Sequence, residues 1–235
     1  MNHHEKTVGI IGGMGPEATV DLMQQVIAGM PANDDIDHIH MLVDNNPKIP
    51  SRIKAIIEGT GESPVPVLVA MAQGLETQGA DFLVIPCNTA HHYYNEIAAS
   101  VSIPVLNIIE IAAKHSQQQQ PDLTKVGLLA SSALQKIKLY EPWFEQLGVE
   151  VAYPDAGGQQ AVMDLICVVK ANKQTTPQIE AYNLAAQQLA EQGVQCLMIA
   201  CTELSVIADQ LHTELPVYDA SKLLAQAIIH TALNQ

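Results

Sequence analysis

The residues of this chain best suited to chemistry are Cys87 and Cys201, and their surroundings match. Each closes an apolar run that starts after a glycine: GADFLVIPCNTAH from Gly79 to His91, and GVQCLMIACTEL from Gly193 to Leu204. The spacing from glycine to cysteine is the same in both, which marks a duplicated unit. A glycine that ends a helix, then a buried strand, then a thiol where the strand gives out, puts each cysteine at the carboxyl end of a parallel strand. Ligands of α/β sheets bind there. A helix start beside such a thiol can lower its pKa through exposed N–H groups. A lone nucleophilic cysteine ordinarily wants a histidine base and an orienting group. Two facing thiols can instead divide acid and base work, one removing a proton from carbon and the other returning one to the opposite face. The outcome is inversion of a stereocentre without a cofactor. Taken singly, each cysteine also fits an inert core position; the matched placement favours chemistry. Cys167 and Cys196, inside a helix and a strand, read as structural.

The elements that must position these thiols alternate in type. Thr7 to Ile11 reads as a strand, and Pro16 suits the first turn of a helix whose apolar positions Val20, Met23, Ile27 and Met30 recur at helical spacing to about Gly29. Between them residues 13 to 18 fit G-x-G-x-x-A, either a dinucleotide fingerprint or a tight turn, and no acidic ribose partner follows at a strand end. His38 to Val43 reads as the second strand, with His38 and His40 on one face. The loop Asp44 to Arg52 comes next, in which Arg52 is either a solvated charge or a ligand group. Pro66 to Gln78 reads as a helix, Phe82 to Ile85 as a strand, and His91 and His92 as the opening of the next helix. Ile103 to Asn107 reads as a short strand, Ile108 to Lys114 begins a helix, and Gln117 to Gln120 reads as a connector.

The second half restarts at Lys125 to Ala130, echoing Thr7 to Gly12. A helix through Tyr140 to Leu147 follows, then a strand Val149 to Tyr153 and a helical stretch Met163 to Val169. Lys170 near the end of that stretch also fits a lysine opposing the helix dipole. Tyr182 to Gln192 reads as a helix, Leu215 to Tyr218 as a strand and Ala220 to Leu233 as a last helix. The expected fold is α/β: two similar Rossmann-like lobes with parallel sheets, related by duplication, the site in the cleft between them. Residues 1–107 with 218–235 would form the lobe carrying Cys87, and 108–217 the lobe carrying Cys201.

Bulk composition narrows the partners. With 235 residues, 48% apolar and 15% charged, the chain can bury a sizeable core. A formal charge of −14 with 11 basic residues, none in a run, argues against nucleic acid. No leader-like start and no apolar stretch long enough for a span argue against secretion and membrane insertion, so a cytoplasmic protein is expected. Four cysteines in a reducing compartment, without paired C-x-x-C spacing, read as free thiols rather than disulfides or a zinc site; no metal is expected.

GIIGGMGPEAT, NNPKIPSR, PCNTAH and ACTEL resemble the motifs of the aspartate/glutamate racemase family through nearly the whole chain, most closely its aspartate branch. The resemblance implies a racemase of acidic amino acids, aspartate first and glutamate second, with no cofactor and a homodimeric assembly. Residue by residue it makes Cys87 and Cys201 the catalytic thiols. It has Asn88, Thr89 and Ala90 cradle the α-carboxylate, has Arg52 and Lys170 hold the side-chain carboxylate, and has Met14 and Thr202 line the site. The chain departs from the family pattern at Ser51, Ile53, Leu134 and Cys167, which bears on substrate choice. Within the same superfamily a hydantoin racemase or a maleate isomerase-like enzyme is the nearest rival. A non-catalytic carboxylate-binding module is a rival from another class, though mere binding needs neither thiol. Arg52 plus Lys170 ask for a second carboxylate, which a hydantoin lacks.

Overall fold

In a computed structural model, which describes residues 5–171 and 173–233, the chain divides into two compact α/β units. The first comprises Met1–Ile108 and Ser221–Gln235, the second Ile109–Ala220.

The first unit is built on three parallel strands in the order β2-β1-β3, with β1 Val8–Gly12, β2 Met41–Asn45 and β3 Phe82–Val84. All five residues of β1 and all three of β3 are buried. A strand covered on both faces reads as a continuous apolar run for that reason. Helix α1 (Pro16–Gly29) starts with Pro16, whose missing N–H falls where the first turn has no partner for one. Its buried side is Ala18, Thr19, Leu22 and Val26. The spacing of Val20 and Ile27 pointed to the opposite face, and both are exposed. Thr19 packs directly on the glycine turn after β1, where a side chain at Gly12 would meet it. Helix α2 (Val65–Thr77) buries Leu68, Met71, Ala72 and Leu75 against β1 and β3. Helix α3 (Tyr94–Ala98) follows the Cys87 loop, and α10 (Ala220–Ala232) returns to this unit at the end of the chain.

The second unit contains α4 (Ile108–Gln119) and a four-stranded parallel sheet, β5-β4-β6-β7. Its strands are β4 Lys125–Ala130, β5 Glu150–Ala152, β6 Cys196–Ala200 and β7 Val217–Asp219. Its other helices are α5 (Ser132–Ile137), α6 (Glu141–Glu145), α7 (Ala156–Val169), α8 (Thr176–Glu191) and the single turn α9 (Thr202–Ser205). Helices α7 and α8 pack on each other and on β4, burying Val162, Leu165, Ile166, Ala185, Ala186 and Leu189 in one core with Cys201.

Both sheets have the duplicated order, and the first lacks a full copy of β7. The expected strand Ile103–Asn107 shrinks to one parallel bridge, Leu83 with Val105. Leu83 N–H donates to the Pro104 carbonyl and Leu106 N–H to the Leu83 carbonyl. Pro104 has no N–H with which to continue the ladder. Other boundaries move as well. His38 and His40 precede β2 rather than lying on it, because the Asp34-capped turn Asp35–Asp37 ends there. Asp44 and Asn45 belong to β2, not to a loop. Gln117 to Gln119 close α4 instead of forming a connector. The expected helix through Tyr140 to Leu147 is broken in two, since Lys138 adopts a left-handed backbone (φ 51°) after α5. Helices α7 and α8 each begin about two turns earlier than their apolar spacing suggested. Asp155 caps α7, and a Thr175–Gln178 capping box starts α8, so polar residues carry both first turns.

Candidate active site

In the first unit the site is built at the carboxyl ends of β1 and β3. The turn after β1 brings Gly13 against the end of β2, at φ 97°. A side chain at Gly13 would run into the backbone of Asn46, and one at Gly12 into Thr19. The Gly13 N–H donates to Thr19 Oγ1 at 3.0 Å. These glycines therefore serve close packing of the strand, helix and β2 exit. The turn carries Met14 into the same buried cluster as Cys87, Ala90 and Ile85.

Cys87 follows β3 after Ile85 and Pro86, and is buried. The next residues form a 3-10 turn, Thr89–Tyr93, with Asn88 leading in and buried, Thr89 half-buried and Ala90 fully buried. His91 and His92 lie on this turn rather than at a helix start. His91 fixes the loop. Its Nε2 accepts from the Ile108 N–H at 3.2 Å, so Nδ1 carries the proton and donates to the Cys87 carbonyl at 3.0 Å. Burial pulls its pKa down to about 4, against which the backbone bonds to Cys87 and Leu106 count weakly. A neutral, doubly engaged imidazole holds Cys87 in place; it is not a base waiting for a substrate proton.

Arg52 leads into a π-helical turn, Lys54–Glu58, and its Nη1 donates to the carbonyls of Ile49 and Pro50 at 3.3 and 2.9 Å. Its Nε is buried without a hydrogen-bond partner. The guanidinium is close enough to Tyr93 to oppose the upward pull of burial on that phenol. Arg52 is thus folded against its own loop on the side of the Cys87 turn, with one donor in hand.

In the second unit the register pairs Ala130 of β4 with Ala200 of β6, so Ser131 and Cys201 leave the sheet as neighbours. Ser131 caps α5 by accepting from the Leu134 N–H at 3.3 Å, and the Leu134 side chain is fully buried. Cys201 is buried, as is Thr202 beside it. The Cys201 thiol donates to Glu203 Oε2 at 3.1 Å, and Glu203 Oε1 lies 3.5 Å from Lys170 Nζ at the end of α7. Burial, and then the charge and hydrogen bond of Glu203, raise the Cys201 pKa well above a free thiol's. Lys170 and the Glu203 N–H act the other way. The resting Cys201 is a neutral thiol already pointing its proton at an oxygen.

Glu203 was not among the residues singled out from the sequence. It is the second residue after the cysteine in ACTEL, where an acidic side chain on a first helical turn passes for a solvated charge. Its burial and its contacts with Cys201 and Lys170 set it apart from a solvated charge. Cys196 is fully buried in β6, in keeping with a structural thiol, whereas Cys167 lies on the exposed side of α7. No group of three or more His, Cys, Asp or Glu suited to a metal occurs among the described residues. A cavity of about 830 Å³ between α8 and the 210–215 segment holds neither thiol nor either basic residue.

Residues 11–228 match the Asp/Glu/hydantoin racemase family. The broad specificity amino-acid racemase RacX of Bacillus subtilis is 30% identical over 239 residues, 96% of this chain and 98% of that protein. An aspartate racemase from Picrophilus torridus is 32% identical, with 97% of this chain and 94% of that one superposed at a TM-score of 0.77. An aspartate racemase homologue from Pyrococcus horikoshii shares the fold at a TM-score of 0.75 and 20% identity, over 97% and 99% of the two chains. The chain belongs to the Asp/Glu/hydantoin racemase family.

Proposed function

We propose that this amino-acid racemase interconverts L- and D-aspartate, and glutamate less well, with Cys87 and Cys201 as its two acid/base groups and without pyridoxal phosphate. One observation carries the reading. In each of two like-built units a buried thiol ends the corresponding strand, and one of them already has a proton partner in Glu203. In one direction the Cys87 thiolate takes the proton from Cα, forming S–H, and the Cys201 S–H bond breaks to protonate the opposite face. In the other direction Cys87 enters protonated and its S–H bond breaks to protonate the opposite face, while Cys201 must first lose its own proton, for which Glu203 is the acceptor at hand. Asn88, Thr89 and Ala90 hold the α-carboxylate beside Cys87, while Met14 and Thr202 bound the substrate.

Arg52 and Lys170 meet the side-chain carboxylate. The unpartnered Nε of Arg52 and the accessible ammonium of Lys170 support that assignment. A site built to bond a polar substrate group rejects an analogue lacking it, because its donors are left unsatisfied. We also propose a cytoplasmic homodimer; the exposed Val20 and Ile27 on α1 supply the kind of apolar face that a dimer covers, and sedimentation velocity gives its mass directly.

The test of the reading is a chiral assay of aspartate, glutamate and alanine with no added cofactor. Aspartate should be racemised, and alanine on the order of 100-fold or more slower in kcat/KM. Cys87→Ala and Cys201→Ala should each abolish turnover. Equal rates on alanine and aspartate would overturn the acidic substrate, and near-normal turnover in either cysteine variant would overturn the two-thiol assignment.

A further inference from the structure

The carboxylate beside Cys201 is held by a cation that solvent can reach. Glu203 offers Oε2 to the Cys201 thiol at 3.1 Å and Oε1 to Lys170 Nζ at 3.5 Å, so a proton donor and a cation share one carboxylate. The Glu203 side chain is 9% exposed and that of Lys170 is 38% exposed, so an anion arriving from solvent meets Lys170 first. A buried carboxylate keeps its charge only while a cation or donors offset its lost hydration; without them its proton affinity rises. The nearest proton is the one on Cys201.

We propose that Lys170 is shared between Glu203 and the side-chain carboxylate of the substrate, and that, in the direction in which Cys201 is the base, drawing it toward the substrate passes the Cys201 proton to Glu203 and arms the thiolate. The S–H bond breaks, an O–H bond forms on Glu203, and the pair keeps its net charge. This rests on the reading of a substrate with two carboxylates, and it adds that the second one contributes to turnover as well as to binding. Only an interaction that changes between the ground state and the transition state does so.

The other titratable groups that face Cys201 do not substitute for this pair. Tyr140 and Tyr182 are fully buried, and burial, with the charges of Asp219 and Cys201, pushes both phenols up so that they stay neutral. Asp219 on β7 accepts from the Ser205 hydroxyl at 2.7 Å and brings a further negative charge, not a cation.

Formate, a carboxylate small enough to sit at Lys170 beside a second molecule, tests the proposal. The protein is full-length, with Cys87→Ala and Cys167→Ala, and Cys196 is fully buried. Alkylation of Cys201 by iodoacetamide is followed on its peptide by mass spectrometry; a path that admits an amino acid admits this reagent. At neutral pH the reaction should run several-fold faster in sodium formate than in sodium chloride at equal ionic strength. Adding Glu203→Gln removes the proton's destination at nearly constant shape. Lys170 then acts only on the sulfur, so formate should slow alkylation or leave it unchanged. Adding Lys170→Gln should abolish the formate effect. A formate effect of the same sign and size with and without Glu203→Gln, or none in the starting protein, overturns the proposal. The racemase reading is judged separately, since aspartate turnover lost in Cys201→Ala stands whichever way the formate result falls.

Discussion

His91 is a side chain whose hydrogen-bonding capacity is spent inside the fold, beside Cys87. It is fully enclosed, its two ring nitrogens are taken by the Ile108 N–H and the Cys87 carbonyl, and its pKa falls from the usual 6.5 to about 4. A histidine that binds its proton less tightly when folded adds stability that is complete above the unfolded pKa and is lost as pH falls through the folded one. The window is therefore pH 6.5 down to 4. At 1.36 kcal/mol per unit the loss is about 3 kcal/mol. Urea titrations at pH 7 and pH 4 should show the parent losing about that much more than His91→Gln; identical pH dependence in the two would contradict this account of the Cys87 loop. At this scale the matched placement of the two thiols was legible because the pattern around them repeats. Glu203 was not, since sequence carries no sign of burial for a single acidic residue. Nor did it reveal that Cys167 would face solvent, because a helical position alone does not say which side is covered.

Among the elements, the turn after β1 has the least freedom. Gly13 sits at φ 97° with the Asn46 backbone where a side chain would go, so Gly13→Ala meets both strain and collision. The expected cost is roughly 2 kcal/mol or more, or a drop in Tm of about 4–8 °C for a chain this size. Met14 would shift with the turn. Gly74 in the interior of α2 has open space around it, and Gly74→Ala should instead raise Tm, by roughly 0.5–1 kcal/mol in stability. Calorimetry on the pair gives opposite signs if the turn is as tight as described; an unchanged Tm for Gly13→Ala contradicts it. Most elements could be read from apolar runs between glycines, as with β1, β4 and β6. The misses share a cause. The buried face of α1 includes small Ala18 and Thr19, and the true starts of α7 and α8 lie in polar caps, all of which apolar spacing passes over. The lost fourth strand of the first unit turns on Pro104, whose missing N–H is visible in the sequence but whose weight depends on its neighbours.

At the scale of the molecule, duplication made the fold legible. Two units with the same strand order, each ending its corresponding strand in a cysteine, follow from the repeated glycine-strand-cysteine pattern. No helix among the described residues is long and apolar enough to cross a membrane. Substrate choice is not written in any repeated pattern; the proposed acidic substrate rests on single side chains such as Arg52 and Lys170. The proposed two-thiol mechanism is a claim about the whole chain: a proton removed by one thiol is not the proton delivered by the other. Racemisation of aspartate in deuterated water measures this most directly. From the earliest turnovers, product of inverted configuration should carry deuterium at Cα. Recovered substrate should carry little, because the first thiol mostly returns the proton it took. The same should hold starting from the other enantiomer. Early product that keeps its original hydrogen, in either direction, would contradict the two-thiol mechanism.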